Sequence, residues 1–269
     1  MVMMLVSCGP IQNYDDPNEP FYEGHYAEEA PNLGETVKVV SWNLSFAENL
    51  ESALEVLTNV NELRKADILL LQEMDEPGVT LLAKTLGYNY VYYPATIHRR
   101  HNKNFGNAVL TKWEITGHEK ILLPKTGSNN KHTRNVVKAE IMISDQKIIA
   151  YSAHLETFWI LQPKNDRQVA FLADQVDKGD EVVYLGGDFN SLTGTSIAYL
   201  EERLGQEGMV RLSKNTGHTF EYLGMKLTLD HVFASGIENY EAGVWRGSVA
   251  SDHFPVWVNI WLPAGKLDK

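Results

Sequence analysis

The sequence has a single cysteine, no long apolar run and, near its N-terminus, no positive charge. One cysteine in 269 residues excludes a disulfide within the chain and any zinc or iron–sulfur site built from several cysteines. No run reaches the ~18 consecutive apolar residues that a membrane-spanning helix needs, so we expect a soluble body. Hydrophobic residues make up 43% of the chain, which is enough to fill a core and excludes a disordered or collagen-like protein.

The net charge of −11 is unevenly distributed along the chain. The first 37 residues contain seven acidic side chains and no lysine or arginine. The other residues hold all 24 lysines and arginines and 28 of the 35 acids, which leaves them a net charge of −4. A body so close to neutral does not attract a polyanion such as DNA by its bulk charge. Composition therefore disfavours a tight nucleic-acid binder, but not a nuclease that turns over its substrate at a local basic patch.

Residues 1–36 are predicted to form a flexible acidic tether. Residues 9–36 are rich in Pro, Asn, Asp, Glu and Gly, and such a stretch buries too little apolar surface to offset the entropy of ordering it. Leu5-Val6-Ser7-Cys8 resembles the lipobox of bacterial lipoproteins, whose cysteine becomes the lipidated N-terminus. The apolar lead is too short for a signal sequence and has no lysine or arginine. The alternatives are a membrane-anchored, extracytoplasmic lipoprotein and a plain overhang with a chance cysteine.

Apolar periodicity predicts one α/β domain over residues 37–263. Alternating or continuous apolar runs indicate strands, and apolar residues at helical spacing indicate helices between them. The predicted strands are Val37–Trp42, Asp67–Gln72, Tyr88–Tyr93, Ala108–Leu110, Val136–Ile143, Lys147–His154, Glu181–Leu185, Leu229–Ala234 and Phe254–Trp261. The predicted helices are Ala47–Lys65, Thr80–Leu86, Asn165–Lys178 and Thr195–Leu204. This mixture predicts two packed sheets flanked by helices.

Several of these strands begin or end in polar residues that packing does not require. These residues are Asn43, Glu73, His154, Asp188, Asn190, Asp230, Asp252 and His253. Taken singly, an Asp or Asn after a strand is usually a turn residue or a helix cap. Two sheets with aligned strand ends would instead gather them in one cleft. Mg²⁺ prefers oxygen ligands, and it can polarise a phosphoryl oxygen while a carboxylate or histidine activates water.

An ordered set of short motifs resembles those of the endonuclease/exonuclease/phosphatase superfamily. The motifs are Trp42-Asn43, Gln72-Glu73, the run 106–111, His154-Leu155, Gly187-Asp188-Phe189-Asn190, Leu229-Asp230-His231-Val232 and the run 251–256. This superfamily includes pancreatic-type deoxyribonucleases, abasic-site endonucleases, neutral sphingomyelinases and inositol-polyphosphate 5-phosphatases. The resemblance covers about residues 37–262. It implies the deoxyribonuclease-I-like fold, a four-layer α/β/β/α sandwich in which two mixed sheets pack face to face.

The resemblance implies a metal site and a histidine–aspartate pair. Glu73 would be the main ligand of Mg²⁺ or Mn²⁺, with Asn43 beside it holding metal or phosphate and Asp252 assisting at the metal. His253 would act as a general base or contact phosphate directly. Asp230 would orient the His253 ring and favour its protonated form.

The same resemblance assigns the remaining polar residues to the attack of water on phosphorus. Asp188 would position or activate the water, and Asn190 would hold the water or a phosphoryl oxygen. His154 would stabilise the transition state or protonate the leaving group. The His154-Leu155 pair is similar to deoxyribonuclease-like and sphingomyelinase-like members and argues against the abasic-site branch. The implied reaction is an in-line displacement that depends on positioning and charge neutralisation.

A basic loop and an apolar run could contact the substrate. Arg99, Arg100 and Lys103 lie just before Asn107, and Arg134 is a weaker second candidate for gripping a substrate phosphate. The alternative for such a charge run is a solvated loop. The run 158–161 is either buried or an apolar wall for a nucleobase, an acyl chain or a membrane surface.

These features predict a Mg²⁺-dependent phosphoester hydrolase that acts on diesters. Its substrate would be nucleic acid or phospholipid, the latter in a sphingomyelinase-like reaction, and no obligate protein partner is implied. The alternative from another class is a surface-anchored binding protein that has lost turnover. Such a relic would have lost one or more of the polar residues above, and the sequence retains them all.

Overall fold

The computed structural model describes residues 12–28, 34, 36–99, 101–125, 132–143, 146–157, 163–179 and 181–261. Within these ranges the chain forms fifteen strands, four α-helices and one short 3-10 turn at Ser45–Ala47. The strands are β1 (Tyr22–Gly24), β2 (Thr36–Asn43), β3 (Ile68–Met74), β4 (Asn89–His98), β5 (Lys103–Thr111), β6 (Glu114–Leu122), β7 (Asn135–Ile143), β8 (Gln146–His154), β9 (Val182–Asp188), β10 (Val210–Arg211), β11 (Phe220–Tyr222), β12 (Met225–Leu227), β13 (Asp230–Ala234), β14 (Asn239–Val244) and β15 (Val256–Trp261). The α-helices are α1 (Leu50–Asn59), α2 (Glu76–Leu86), α3 (Pro163–Gln175) and α4 (Gly194–Gln206).

The strands form two large mixed sheets and a separate hairpin. The seven-stranded sheet has the order β1-β4-β5-β3-β2-β15-β14, and the six-stranded sheet has the order β10-β13-β9-β8-β7-β6. Each sheet contains one parallel pair, β2 with β3 and β8 with β9, among antiparallel neighbours. The hairpin is β11 paired with β12.

The two sheets pack face to face and a helical layer covers each outer face. Val39 and Val137, one from each sheet, are fully buried in the core between them. Leu57 of α1 packs on the outer face of the seven-stranded sheet, and Leu172 of α3 packs on that of the six-stranded sheet. This arrangement confirms the predicted four-layer α/β/β/α sandwich. None of the described helices combines the length and the apolar character needed to cross a membrane.

The predicted strands and helices are all present, with shifted ends, but the edge strands were missed. β1 and β14 lie at the two edges of the seven-stranded sheet, and β6 and β10 lie at the edges of the six-stranded sheet. Edge strands are often short and carry polar side chains toward solvent, which weakens the apolar signal that a sequence reading depends on. The β11–β12 hairpin was also missed, because its two strands have only three residues each and so give a weak periodic signal.

Residues 12–28 are part of the folded structure, so the expectation of a flexible tether does not hold for them. β1 pairs with residues 90–92 of β4 and extends the seven-stranded sheet. The Phe21 ring lies 5.7 Å from the Tyr93 ring and 4.9 Å from that of His118. Isolated aromatic side chains thus gain, along one strand, the burial that local composition does not reveal. The predicted boundary at residue 37 stays a prediction, and Cys8 with its lipobox-like segment lies outside the described residues.

Candidate active site

The predicted polar residues meet where the two parallel strand pairs end. Parallel strands bring their carboxyl ends to the same edge of a sheet, and Asn43 and His154 are the last residues of β2 and β8. His154 is in register with Asp188, the last residue of β9. Asp230 begins the antiparallel neighbour β13 and is in register with the same Asp188. The strand register therefore places these side chains at one end of the facing sheets.

Two local backbone features adjust this strand edge. The register of β3 against β5 shifts between Leu71 and Met74, and Glu73 within this irregularity has a φ of +58°. Such a bulge re-aims a side chain, and a non-glycine residue in this region stores strain of about 1–3 kcal/mol. In β9, a Cβ atom on Gly187 would overlap the carbonyl oxygen of Ala153 in β8. Glycine at this position lets the two strands approach closely beside His154.

The Asn43 amide joins two carboxylates that come from different sheets. Its Nδ2 donates to Glu73 Oε1 at 3.2 Å and to Asp188 Oδ2 at 3.1 Å. Its Oδ1 accepts the backbone N–H of Ser45 at 3.0 Å, which fixes the orientation of the amide group. Asn43 therefore holds an acid from each sheet at a single point.

His253 and Asp230 form the predicted histidine–aspartate pair. His253 Nδ1 lies 2.8 Å from Asp230 Oδ2, while His253 Nε2 lies 3.8 Å from Asp188 Oδ2. The backbone of His253 is held on both sides: its N–H donates to Ser251 Oγ, and its carbonyl accepts from Trp42 Nε1 at 3.0 Å. One ring nitrogen is thus anchored while the other faces the carboxylate cluster.

His154 is enclosed by a cation, an aromatic ring and the two carboxylates. Arg134 Nη1 lies 3.1 Å from both ring nitrogens of His154. His154 Nε2 lies 3.8 Å from Glu73 Oε1 and 3.6 Å from Asp188 Oδ2. The guanidinium of Arg134 also lies over the Phe105 ring at 5.4 Å. Arg134, the weaker of the two basic candidates, is therefore the one that the fold brings into the cleft.

Burial and mutual charge set the protonation of the cluster. Burial raises the pKa values of the Glu73 and Asp188 carboxyls, against the opposing effects of nearby Arg134 and His253. Burial, together with the Arg134 charge, holds the pKa of His154 well below its usual range, so this ring is neutral. Burial also opposes protonation of His253, but the carboxylates of Asp230 and Asp188 outweigh it and raise that pKa. The cleft therefore combines one neutral and one cationic imidazole.

The donor set fits a hard divalent cation. Asp188, Asp230 and His253 offer ligand atoms that lie within 4.8 Å of one another. Asp230 and His253 bond to each other, whereas Glu73 and Asp188 converge on the Asn43 amide. Two buried acids with raised pKa values are a site that a divalent cation would neutralise, and oxygen ligands suit Mg²⁺ or Mn²⁺.

Asn190 and Asp252 support the cleft from the adjoining loops. The Asn190 backbone N–H donates to Asp188 Oδ1 at 2.9 Å, and its side-chain amide donates to the Leu155 carbonyl. Asn190 thus fixes Asp188 from the side opposite Asn43. Asp252 is half-buried, and its Oδ1 lies 3.4 Å from Ser251 Oγ. Burial is the main cause that raises the pKa of Glu73, and the charge of Asp252 raises it further.

Two other candidates for gripping a substrate phosphate, Lys103 and Asn107, have partners outside the carboxylate cluster. Lys103 pairs with Asp75 at 3.1 Å and is half exposed. Asn107 is buried and donates to the backbone and side-chain oxygens of Asn135. Arg99 is exposed, and Arg100 and the run 158–161 lie outside the described residues.

Two further hydroxyl residues hold the catalytic loops, and sequence reasoning missed both. Thr219 Oγ1 accepts the backbone N–H groups of Leu229 and Asp230. Its carbonyl accepts the N–H of Phe254, so Thr219 links the start of β13, which carries Asp230, to the residue after His253. Ser251 Oγ donates to the Asn43 carbonyl at 2.8 Å. The position of Ser251, two residues before His253, could have indicated its role from the sequence. No neighbouring motif marks Thr219 in this way.

Comparison with known proteins identifies relatives by sequence. The model of the Endonuclease/Exonuclease/phosphatase family matches residues 40–253. A UPF0294 protein of Vibrio vulnificus (strain CMCP6) is 29% identical over 148 residues, which cover 54% of this chain and 48% of the relative. A UPF0294 protein of Vibrio cholerae serotype O1 is 31% identical over 134 residues, or 48% of this chain and 46% of the relative. The chain thus spans about half the length of the curated relatives it matches.

Solved structures share the fold at low sequence identity. The endonuclease/exonuclease/phosphatase family protein of Leptotrichia buccalis C-1013-b has a TM-score of 0.68 at 19% identity, covering 84% of this chain and 100% of that one. D. rerio TDP2 complexed with single strand DNA product has a TM-score of 0.68 at 17% identity, covering 84% and 99%. Since the family model spans most of the chain and the fold agrees, the protein belongs to the endonuclease/exonuclease/phosphatase family.

Proposed function

We propose that this protein is a metal-dependent phosphodiesterase that cleaves nucleic acid. Members of its family are hydrolases that act on phosphoester bonds. The observation that carries the proposal is the convergence of Glu73, Asp188 and His253 on one cleft, with Asn43 bridging the acids and Asp230 anchoring the histidine. Glu73, with Asn43 beside it, would hold Mg²⁺ or Mn²⁺, and the cation would supply the positive charge that polarises a phosphoryl oxygen.

The side chains divide the work of hydrolysis among them. Asp188 Oδ1 is occupied by the Asn190 N–H, while Oδ2 faces both histidines and would accept a proton from the attacking water. His253 is cationic and, with Nδ1 held by Asp230, would donate from Nε2 to a phosphoryl oxygen. This assignment favours direct phosphate contact over a general-base role for His253. Arg134 would neutralise the charge that develops on the phosphorane.

The distribution of cations favours a diester over a monoester. Among the described residues, Arg134 is the arginine that contacts the cleft, and His253 supplies one further positive charge. A diester phosphate carries one negative charge, whereas a monoester carries up to two and is better matched by several lysines or arginines. For nucleic acid as the diester, the support is the similar fold of TDP2, whose structure was solved with a single-stranded DNA product.

Nicking of supercoiled plasmid by the full chain with Mg²⁺ tests this proposal. The full chain is required because residues 12–28 pack on the sheet. We expect nicking that stops with EDTA and in His253→Ala. It should persist in His118→Ala, because His118 lies by Glu23 and Tyr93, away from the cleft. Nicking that survives both EDTA and His253→Ala would come from a contaminant and would overturn the proposal.

One observation favours a second candidate, a phospholipid phosphodiesterase. The tip of the β11–β12 hairpin presents Tyr222, Leu223 and Met225 to solvent, and Leu223 is 89% exposed. The hairpin adjoins the catalytic loop, since Glu221 N donates to the Asp252 carbonyl and the Phe220 ring lies 4.9 Å from the His253 ring. Exposed apolar residues beside a cleft suit a lipid surface. The test measures release of phosphocholine from phosphatidylcholine vesicles. This candidate would be favoured if Leu223→Asp lost that release but still nicked plasmid.

A further inference from the structure

Residues 12–16, here called the N-terminal strap, run along the end of β4 beside the cleft. The Gln12 carbonyl accepts the N–H of Ile97 at 2.8 Å and the hydroxyl of Thr96 at 2.9 Å. Two residues later, Tyr14 N–H donates to the Ala95 carbonyl at 2.9 Å. These backbone bonds fix the position of the strap, so that its side chains have a defined place relative to the strand.

The side chains of the strap grip one residue of a neighbouring segment. Asn13 Oδ1 accepts the backbone N–H of Thr133 at 3.0 Å, and Asp15 Oδ1 accepts the Thr133 hydroxyl at 3.0 Å. The second oxygen of Asp15 pairs with Lys125 Nζ at 2.7 Å. The Lys125 hydrogen bond lowers the pKa of Asp15, which keeps it an ionised acceptor. Thr133 is only 3% exposed, and its backbone N–H and its hydroxyl are both satisfied by residues about 120 positions earlier.

The residue held by the strap is the direct neighbour of the cleft arginine. Arg134 lies 3.1 Å from the His154 ring nitrogens and 3.7 Å from Glu156 Oε1. Its carbonyl accepts the N–H of Leu123, which ties the strand side of the segment to residues after β6. On the other side, at the beginning of the described segment 132–143, the strap holds Thr133, and Thr96 Oγ1 of β4 lies 3.1 Å from His132 Nδ1.

We propose that Asn13 and Asp15 are positioning residues for Arg134, acting through Thr133. The strap lies outside residues 40–253, which the family model matches. A displacement of a catalytic group by about 1 Å can lower the reaction rate about 10²-fold. The kinetic part of this inference rests on the proposed function; the structural part does not.

The kinetic test compares strap variants of the full chain on bis(p-nitrophenyl) phosphate with Mg²⁺. We expect the double variant Asn13→Ala/Asp15→Ala to lower kcat/KM about tenfold, because Arg134 loses its fixed orientation. Asp15→Asn keeps an acceptor for the Thr133 hydroxyl and should retain activity within about threefold of the parent. The matched control is Asp16→Ala, since Asp16 is exposed and accepts the N–H of Asn18 rather than a group of Thr133; it should stay within about twofold.

An Arg134→Ala background separates positioning from a general loss of stability. If the strap acts through Arg134, its double variant should lower kcat/KM no further once Arg134 is absent, so the two effects are non-additive. A strap variant that lowers kcat/KM by the same factor in both backgrounds would overturn the inference. Thermal unfolding of each variant ensures that rates are compared for folded protein.

Amide hydrogen exchange provides a test that does not depend on turnover. The Thr133 N–H should exchange at least about tenfold faster in Asn13→Ala than in the parent or in Asp16→Ala. The Nε–H resonance of Arg134 should shift in Asp15→Ala and return in Asp15→Asn. Unchanged exchange at Thr133 and an unmoved Arg134 resonance would overturn the inference. A parent chain without diesterase activity would instead refute the proposed function, and these two signals would still decide the role of the strap.

Discussion

Asn43 and Asp188 belong to different sheets, yet Asn43 Nδ2 donates a 3.1 Å hydrogen bond to Asp188 Oδ2. The same amide group reaches Glu73 in its own sheet. The cleft therefore depends on how the two sheets pack, and a small shift between them would separate the acids. Both residues are buried, which gives this bond a low-dielectric setting and makes its loss costly.

Replacement of Asn43 should disable the cleft without unfolding the protein. In Asn43→Ala the acids lose their shared donor, and we expect kcat for diester hydrolysis to fall about 10²-fold, as when one preorganised donor is removed from other active sites. The matched control is Asn49→Ala, because Asn49 is an exposed residue that bonds to the Val249 carbonyl. Steady-state kinetics on bis(p-nitrophenyl) phosphate gives the comparison. Full activity in Asn43→Ala would show that the bridge has no catalytic role.

Glu73→Gln should weaken metal binding and raise the free energy of unfolding of the metal-free protein. Burial raises the pKa of Glu73, so the ionised form is disfavoured in the folded protein and stability falls as pH rises above the pKa of the unfolded chain. The neutral isostere should raise the free energy of unfolding of the metal-free protein by about 1 kcal/mol at pH 7. Thermal unfolding with and without Mg²⁺ measures both effects.

The second part of the Glu73→Gln prediction concerns how much Mg²⁺ stabilises the folded protein. A cation that binds only the folded parent stabilises it by about 2.7 kcal/mol at 100 times Kd, and Glu73→Gln should lose this gain. Glu51→Gln, on the exposed face of α1, should keep it. An equal Mg²⁺-dependent gain in Glu73→Gln would exclude Glu73 as a ligand.

The strand-end residues could be predicted because their chemistry and their position follow one rule. Parallel strands align their carboxyl ends, and each such end carries a polar residue in an otherwise apolar run, as in Leu71-Gln72-Glu73. The strand ends and the motif resemblance together predicted Asn43, His154 and Asp188 in one cleft, and the strand register brings these three side chains to the same end of the sheets. The layers followed from the alternation of strands with amphipathic helices.

The strap and the ranking of the basic residues could not be predicted because both depend on distant partners. Tyr14 and Phe21 stand alone among acids and prolines, and only β4 and its neighbours give them a surface to pack on. Arg134 has no local mark that distinguishes it from Lys103, yet the first meets His154 and the second meets Asp75. Local sequence patterns indicate where a strand lies, but they do not indicate which basic side chain will contact the cleft.

Asp230→Asn should narrow the pH range of activity on the alkaline side. Burial opposes protonation of His253, and the Asp230 carboxylate is the main group that raises its pKa. Without that charge the His253 pKa falls, so the cationic form is lost at lower pH and the alkaline limb of the kcat–pH profile moves down. We also expect kcat at neutral pH to fall on the order of 10³-fold, because the ring loses its orientation. An alkaline limb that stays in place would contradict a cationic role for His253.

His231 should make the protein labile to acid. Its ring is fully buried near Phe189 and Phe233, and burial, followed by the charge of Arg211, lowers its pKa to about 3. The unfolded chain then binds more protons than the folded one between that pH and ~6.5, so stability falls as pH falls through this window, by up to ~1.4 kcal/mol per pH unit.

Chemical unfolding of the parent and His231→Phe at several pH values measures this effect. His154, whose pKa is also lowered by burial, contributes a slope of the same sign that His231→Phe leaves in place, so the variant should lose less stability than the parent as pH falls. His118→Phe is a control at a half-buried histidine of the sheet edge. The carboxyls of Glu73 and Asp188, whose pKa values burial raises, contribute slopes of the opposite sign, so the effect of His231 is measured as the difference between the parent and variant curves. A difference that stays constant from pH 7 to pH 4 would contradict the prediction.

Leu223 occupies a backbone position that disfavours its side chain. It is the first of two residues that join β11 to β12, and both have positive φ values, +48° for Leu223 and +81° for Gly224. Two-residue turns of this kind favour Asn or Gly, because a larger side chain in the left-handed region costs ~1 kcal/mol or more. Leu223→Asn should therefore raise the free energy of unfolding by about 0.5–1 kcal/mol, a gain in Tm of roughly 2–4 °C.

The control for this turn also separates stability from substrate contact. Met225→Asn changes a neighbouring exposed residue whose φ is not positive, so it should bring no gain in stability. If Leu223→Asn is less stable than the parent, the side chain has folded-state contacts that outweigh its backbone cost. If it is more stable and still nicks plasmid, but no longer cleaves vesicle lipid, the strained apolar tip serves the substrate. A stabilised variant that retains both activities would remove the hairpin from the substrate site.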